Sequence, residues 1–89
     1  MRVLIIEDEL DLLSDIKQRL ETEGYSVDTS SEGNDGYYIA TEYPLDAAII
    51  DIGLPGMSGI DIIKKLRAEQ STLPILILTA RSRWQEKVE

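Results

Sequence analysis

Three short apolar runs without polar interruption constrain the fold of this chain most: Val3-Leu4-Ile5-Ile6, Ala47-Ala48-Ile49-Ile50 and Ile75-Leu76-Ile77-Leu78. A strand with one wet face alternates apolar and polar residues. Runs that lack this alternation predict strands buried on both faces, as in a parallel sheet covered by helices. Between the runs the pattern turns helical. A helix is expected at about 9–22, with Leu10, Leu13, Ile16, Lys17 and Leu20 near one face and Gly24 at its C-terminal cap. Tyr25 to Thr29 reads as a second strand with Val27 pointing inward, and Ser31 can cap a helix over about 32–43 that Pro44 ends. Gly33 and Gly36 weaken that helix, so packing of Tyr37, Ile39 and Ala40 must hold it. Strand three covers Asp46 to Asp51, and Gly53-Leu54-Pro55-Gly56 forms a turn. Ser58-Gly59-Ile60-Asp61 matches a capping box opening a helix to about Glu69. Pro74 begins strand four, and Ser82-Arg83-Trp84-Gln85 is a second capping box that opens a fourth helix. Strict alternation of strand and helix makes this an α/β chain with a doubly wound parallel sheet.

Acids end two of those strands. Glu7 and Asp8 close the first, and Asp51 closes the third. In doubly wound sheets ligands bind beyond the carboxyl ends of the strands, where the winding direction reverses. If strands one and three flank that point, the three carboxylates converge. At ~4 Å and an effective dielectric near 20, each pair of anions repels by on the order of 4 kcal/mol. A divalent cation that also handles phosphate relieves this best. The chain contains no histidine and no cysteine, which leaves oxygen ligands and favours Mg²⁺ or a similar hard ion.

The remaining composition narrows the class. The 89 residues suffice for one small domain, and 43% hydrophobic with 29% charged residues describes a globular chain. A net charge of -8 argues against direct contact with nucleic acid. No apolar run approaches the ~20 residues of a membrane span, and no secretory signal precedes Val3, so a cytoplasmic domain is expected. Strand four would be a sheet edge of Ile, Leu, Ile and Leu without charge or bulge, prone to aggregate, swap or be covered by another strand. Residues 1–89 are therefore expected to be part of a larger domain, truncated in helix four and lacking on the order of 30 residues, about one βα unit.

The chain resembles the receiver domain of two-component response regulators. The matching residues are Glu7-Asp8 after strand one, Asp51 after strand three, the loop Gly53-Leu54-Pro55-Gly56-Met57-Ser58-Gly59, and Thr79-Ala80 after strand four. Leu78-Thr79-Ala80-Arg81 and Trp84-Gln85-Glu86-Lys87-Val88-Glu89 are most similar to the OmpR/PhoB subfamily, PhoP-type regulators above all. The resemblance implies a flavodoxin-like receiver fold with strand order 2-1-3-4, strand five being absent. It implies that Asp51 takes a phosphoryl group from the phosphohistidine of a sensor histidine kinase. Mg²⁺ would be held by Asp8, Asp51 and the main-chain carbonyl of Gly53, with Glu7 acting through a water. Thr79 would be the switch hydroxyl that bonds the phosphoryl group, and Ala80 a position kept small beside it. The family's lysine and switch aromatic lie near strand five, and Lys87, on helix four, does not replace the lysine. The resemblance further implies a homodimer in the full-length protein and DNA contact only through a C-terminal winged-helix domain.

Plainer readings stand beside these. Glu7-Asp8 can be acids favoured by a helix start, Asp51 a loop acid, Thr79 an ordinary strand end, and Tyr37 and Tyr38 packing residues. Two other functions compete: an aspartyl-nucleophile, Mg²⁺-dependent phosphohydrolase, and a non-phosphorylated assembly module. The phosphohydrolases of that type place a second acid two residues after the nucleophile, where this chain has Gly53. A nucleotide-binding protein would need glycines where Glu7-Asp8-Glu9 stands.

Overall fold

A computed structural model describes residues 1–78. The elements alternate as expected: β1 (Arg2–Ile6), α1 (Leu10–Thr22), β2 (Ser26–Ser30), α2 (Gly33–Glu42), β3 (Ala47–Asp51), α3 (Gly59–Ala68) and β4 (Ile75–Leu78). The sheet is wholly parallel, in the order β2-β1-β3-β4. β1 is thus flanked on both sides, and Leu4, Ile5 and Ile6 are fully buried, which explains its unbroken apolar run. Alternate side chains divide between the two faces of the sheet. Leu4, Ile6, Ala48 and Ile50 join Ile62 and Leu66 of α3 in the main core, with Tyr37, Ile39 and Ala40 of α2 packed against it. α1 covers β1 and β2. Beside it, Val3, Ala47, Ile49 and Leu76 line an open apolar groove of about 390 Å³ with Leu20 and Tyr25.

Local differences from the sequence reading have local causes. Leu10 is 65% exposed. The buried stripe of α1 runs through Leu13, with Leu12, Ile16 and Leu20 half-buried and Lys17 exposed. At 3.6 residues per turn Leu10 lies roughly 60° around from Leu13, on the side away from Ile16 and Leu20. α2 is capped by Glu32 rather than Ser31. The Glu32 carboxylate accepts the amides of Asn34 and Asp35 at 2.9 Å each, and these bonds lower its pKa from the ordinary glutamate value. The hydroxyl of Ser30 donates to the Glu32 carbonyl at 2.9 Å, fixing the turn into the helix. α3 begins as expected, with Ser58 Oγ accepting the Asp61 amide at 3.1 Å.

β4 pairs only with β3 among the described residues. Leu76 and Ile77 are 65% and 46% exposed, as an uncovered edge predicts. The expectations for Thr79, Ala80, the capping box at Ser82 and the fourth helix with Lys87 lie outside the described residues.

Candidate metal and phosphoacceptor site

Register brings the acids together. β1 and β3 pair with Ile6 opposite Ile50, so the next residues, Glu7 just past β1 and Asp51 at the end of β3, stand side by side. Carboxylate oxygens of Glu7, Asp8 and Asp51 lie within 4.8 Å of one another. The three differ in setting: Glu7 is buried, Asp51 half-buried and Asp8 exposed.

Glu7 is tied down from both ends. Its amide donates to the Ser30 carbonyl at 3.0 Å, continuing the β1–β2 ladder. Its carboxylate accepts the Glu9 amide at 2.8 Å, which turns the chain into α1. Burial is the main cause of a raised Glu7 pKa; the Glu9 amide opposes it, and the negative charges of Asp51 and Asp8 add to it. Asp51 is also raised, first by burial and then by Asp8, against the opposing amides of Gly53 and Ile52. Two acids that resist ionisation beside a third are an electrostatic imbalance. Among the described residues neither ion pair, Arg2–Asp28 or Lys17–Glu21, involves them.

The donors suit a hard divalent cation: clustered carboxylate oxygens, one buried and two reachable from solvent, in a chain without histidine or cysteine. Gly53 is exposed, two residues beyond Asp51 on the loop that carries Leu54 into the core. Thr79, the remaining site residue expected from sequence, follows Leu78, which pairs with Asp51.

Sequence reasoning names Gly59 in the loop and in the capping box but gives it no contact with Asp51. Gly59 opens α3, and a β-carbon there would overlap the Asp51 carbonyl oxygen. A glycine at the first position of a helix, where residues with higher propensity are available, was the signal.

Comparison with known proteins agrees with this geometry. The response regulator receiver domain family matches residues 3–89. The two-component response regulator PhoP of Pseudomonas aeruginosa is 47% identical over the whole chain, and the transcriptional regulatory protein PhoP of Escherichia coli 40%. The chain spans 40% of the length of each of these relatives. Among solved structures, the response regulator TrrA of Thermotoga maritima, in complex with Mg²⁺-BeF, superposes with a TM-score of 0.86 at 30% identity. That match covers 98% of this chain and 76% of TrrA. A Francisella response regulator receiver domain gives 0.87 at 25% identity, covering 98% and 72%. A parallel 2-1-3-4 sheet, acids converging at the ends of β1 and β3, and a family match over nearly every residue lead to one conclusion: the chain belongs to the response regulator receiver domain family.

Proposed function

We propose that Asp51 is the phosphoacceptor of a Mg²⁺-dependent signalling switch. The observation that carries this reading is the convergence of Glu7, Asp8 and Asp51 at the ends of adjacent strands. An Asp51 carboxylate oxygen attacks the phosphorus of a sensor kinase's phosphohistidine. The P–N bond breaks, the imidazole leaves, and an acyl phosphate remains on Asp51. Asp8, Asp51 and the Gly53 carbonyl would hold Mg²⁺, with Glu7 supporting them through a water. The ion supplies positive charge against the crowded carboxylates and the incoming phosphoryl oxygens. Glu7, fixed by the Glu9 amide, keeps one carboxylate still at the floor of the site while exposed Asp8 leaves its rim open. Thr79 is assigned the switch hydroxyl, supported by the pairing of its neighbour Leu78 with Asp51.

Residues 1–89 act, on this reading, as the N-terminal part of a receiver domain in a cytoplasmic response regulator. A sensor histidine kinase is its phosphodonor. DNA binding through a C-terminal domain would belong to the whole protein, a reading supported by the Escherichia coli relative, a transcriptional regulatory protein of whose length the chain spans 40%. Homodimerisation is proposed for the whole protein on the family resemblance alone. No helix among the described residues is long and apolar enough to cross a membrane. A phosphohydrolase is disfavoured by Gly53, which offers no acid to protonate a leaving group.

The test is the intact mass before and after incubation with acetyl phosphate and Mg²⁺. Wild-type chain should gain one phosphoryl group, removed by hydroxylamine, and Asp51→Asn should gain none. Equal labelling of the Asn variant would show that another residue accepts the phosphoryl group.

A further inference from the structure

The loop from Ile52 to Ser58 leads away from Asp51 and is gripped by two helix starts that lack side chains. Gly59, the first residue of α3, lies against the main chain of Asp51 itself. A β-carbon there would overlap the Asp51 carbonyl oxygen and stand 2.9 Å from both the Asp51 carbonyl carbon and the Ile52 Cα. The Gly59 amide donates to the Ile52 carbonyl at 3.1 Å, holding this approach. Gly33, the first residue of α2, meets the other end of the loop. Its β-carbon would overlap the Met57 carbonyl oxygen and stand 2.6 Å from the carbonyl carbon, and its amide donates to the Pro55 carbonyl at 3.1 Å. Both residues are buried, and neither has a positive φ. Backbone conformation and helix propensity would both accept alanine here. Only the contact forbids it. Because the opposing atoms are backbone rather than the end of a flexible side chain, an added methyl must move a helix start, the loop or the end of β3.

We propose that Gly59 and Gly33 are positioning residues for the site, clamping the Asp51 strand end and the loop after it so that the Asp51 carboxylate stays within reach of Glu7 and Asp8. The inference rests on the reading of these acids as a Mg²⁺ and phosphoacceptor site. Neither glycine touches the ion or the phosphoryl group; each acts through main chain. Removing outer-shell groups that hold metal ligands in place alters affinity by about 10- to 100-fold, and displacement of the Asp51 main chain is expected to act on the same scale.

The experiment is calorimetric Mg²⁺ titration of the full natural chain as wild type, Gly59→Ala, Gly33→Ala and Gly24→Ala, with thermal unfolding of each in EDTA. Gly24 is the stability control: its φ of 96° strains any side chain, yet nothing lies within 4 Å of its β-carbon. Gly59→Ala should weaken Mg²⁺ binding by about 10-fold or more, and Gly33→Ala by less. Gly24→Ala should lower the unfolding midpoint and leave Mg²⁺ affinity unchanged. In acetyl phosphate labelling, Gly59→Ala should raise the Mg²⁺ concentration needed for half-maximal rate. Wild-type affinity in both Gly59→Ala and Gly33→Ala would overturn the clamp, as would an equal loss in Gly24→Ala. Should Gly59→Ala not fold, Gly33→Ala decides by the same criterion. Absence of Mg²⁺ binding in the wild type would instead overturn the site reading, and the clamp with it, a result distinct from retained affinity in the variants.

Discussion

Glu7 shows how one residue can be set against its own surroundings. At 4% exposure, with Asp8 and Asp51 beside it, its charged form is disfavoured, although the Glu9 amide holds it in place. Burial, foremost, raises Glu7 and Asp51 above their ordinary values of 4.5 and 3.8, so protonation favours the folded state. That contribution is full below those ordinary values and is lost as pH rises through the raised ones. In EDTA the unfolding midpoint of Glu7→Gln, which keeps an acceptor for the Glu9 amide, should gain on wild type as pH rises from about 4 to 7. Mg²⁺ at pH 7 should raise wild type and narrow the gap, because a cation that binds only the folded site stabilises it. Melting curves across pH with a constant gap would contradict this. The three acids were legible because each ends an apolar run and carboxylates are scarce in such places. The Glu32 cap was not: glutamate is outside the usual capping set, and only the folded turn brings its carboxylate back onto two amides.

At the scale of elements, the glycines of α2 carry the main lesson. Sequence marks Gly33 and Gly36 as a weakness in a helix that other residues must hold; the structure shows contacts that need them. A β-carbon on Gly36 would stand 2.5 Å from Ile6 Cδ1, so the helix lies directly on β1. Alanine would gain about 1 kcal/mol in helix propensity but overpack the core by about 1–3 kcal/mol. Packing wins. Gly36→Ala should destabilise by about 1 kcal/mol in urea unfolding. Ile6→Val removes the nearest atom, so the double variant should be more stable than the sum of the two singles predicts. Strict additivity would show that the helix shifts instead. Ser58→Ala should cost about 1 kcal/mol by the same measurement through loss of the α3 cap. An unchanged unfolding midpoint would show that the cap bond adds nothing. Element existence was legible from period and punctuation. Interhelix and helix–sheet distances were not, because close approach is a property of pairs of elements distant in sequence.

For the whole molecule, an all-parallel sheet explains both the site and the exposed edge. Crossovers keep the carboxyl ends of β1 and β3 at one end of the sheet, where the acids meet. The same winding leaves β4 outermost among the described residues, with Leu76 exposed in the groove next to α1 and Ile77 exposed as well. Residues 1–89 should therefore associate with rising concentration, and Leu76→Lys should reduce that association in sedimentation experiments. Equal sedimentation of both chains would remove the edge as its cause. The fold class and strand order were legible because buried runs and family motifs agree. The open groove was not, since it depends on how far α1 extends over the sheet. The central claim is that Asp51 carries the phosphoryl group, and its most direct test is chemical. The chain is treated with acetyl phosphate and Mg²⁺, reduced with borohydride, digested and analysed by mass spectrometry. Reduction of an acyl phosphate converts the acid to its alcohol, so homoserine at position 51 and aspartate still at position 8 is the result expected. Aspartate retained at position 51, with reduction at Asp8, at Glu7 or nowhere, would contradict the account.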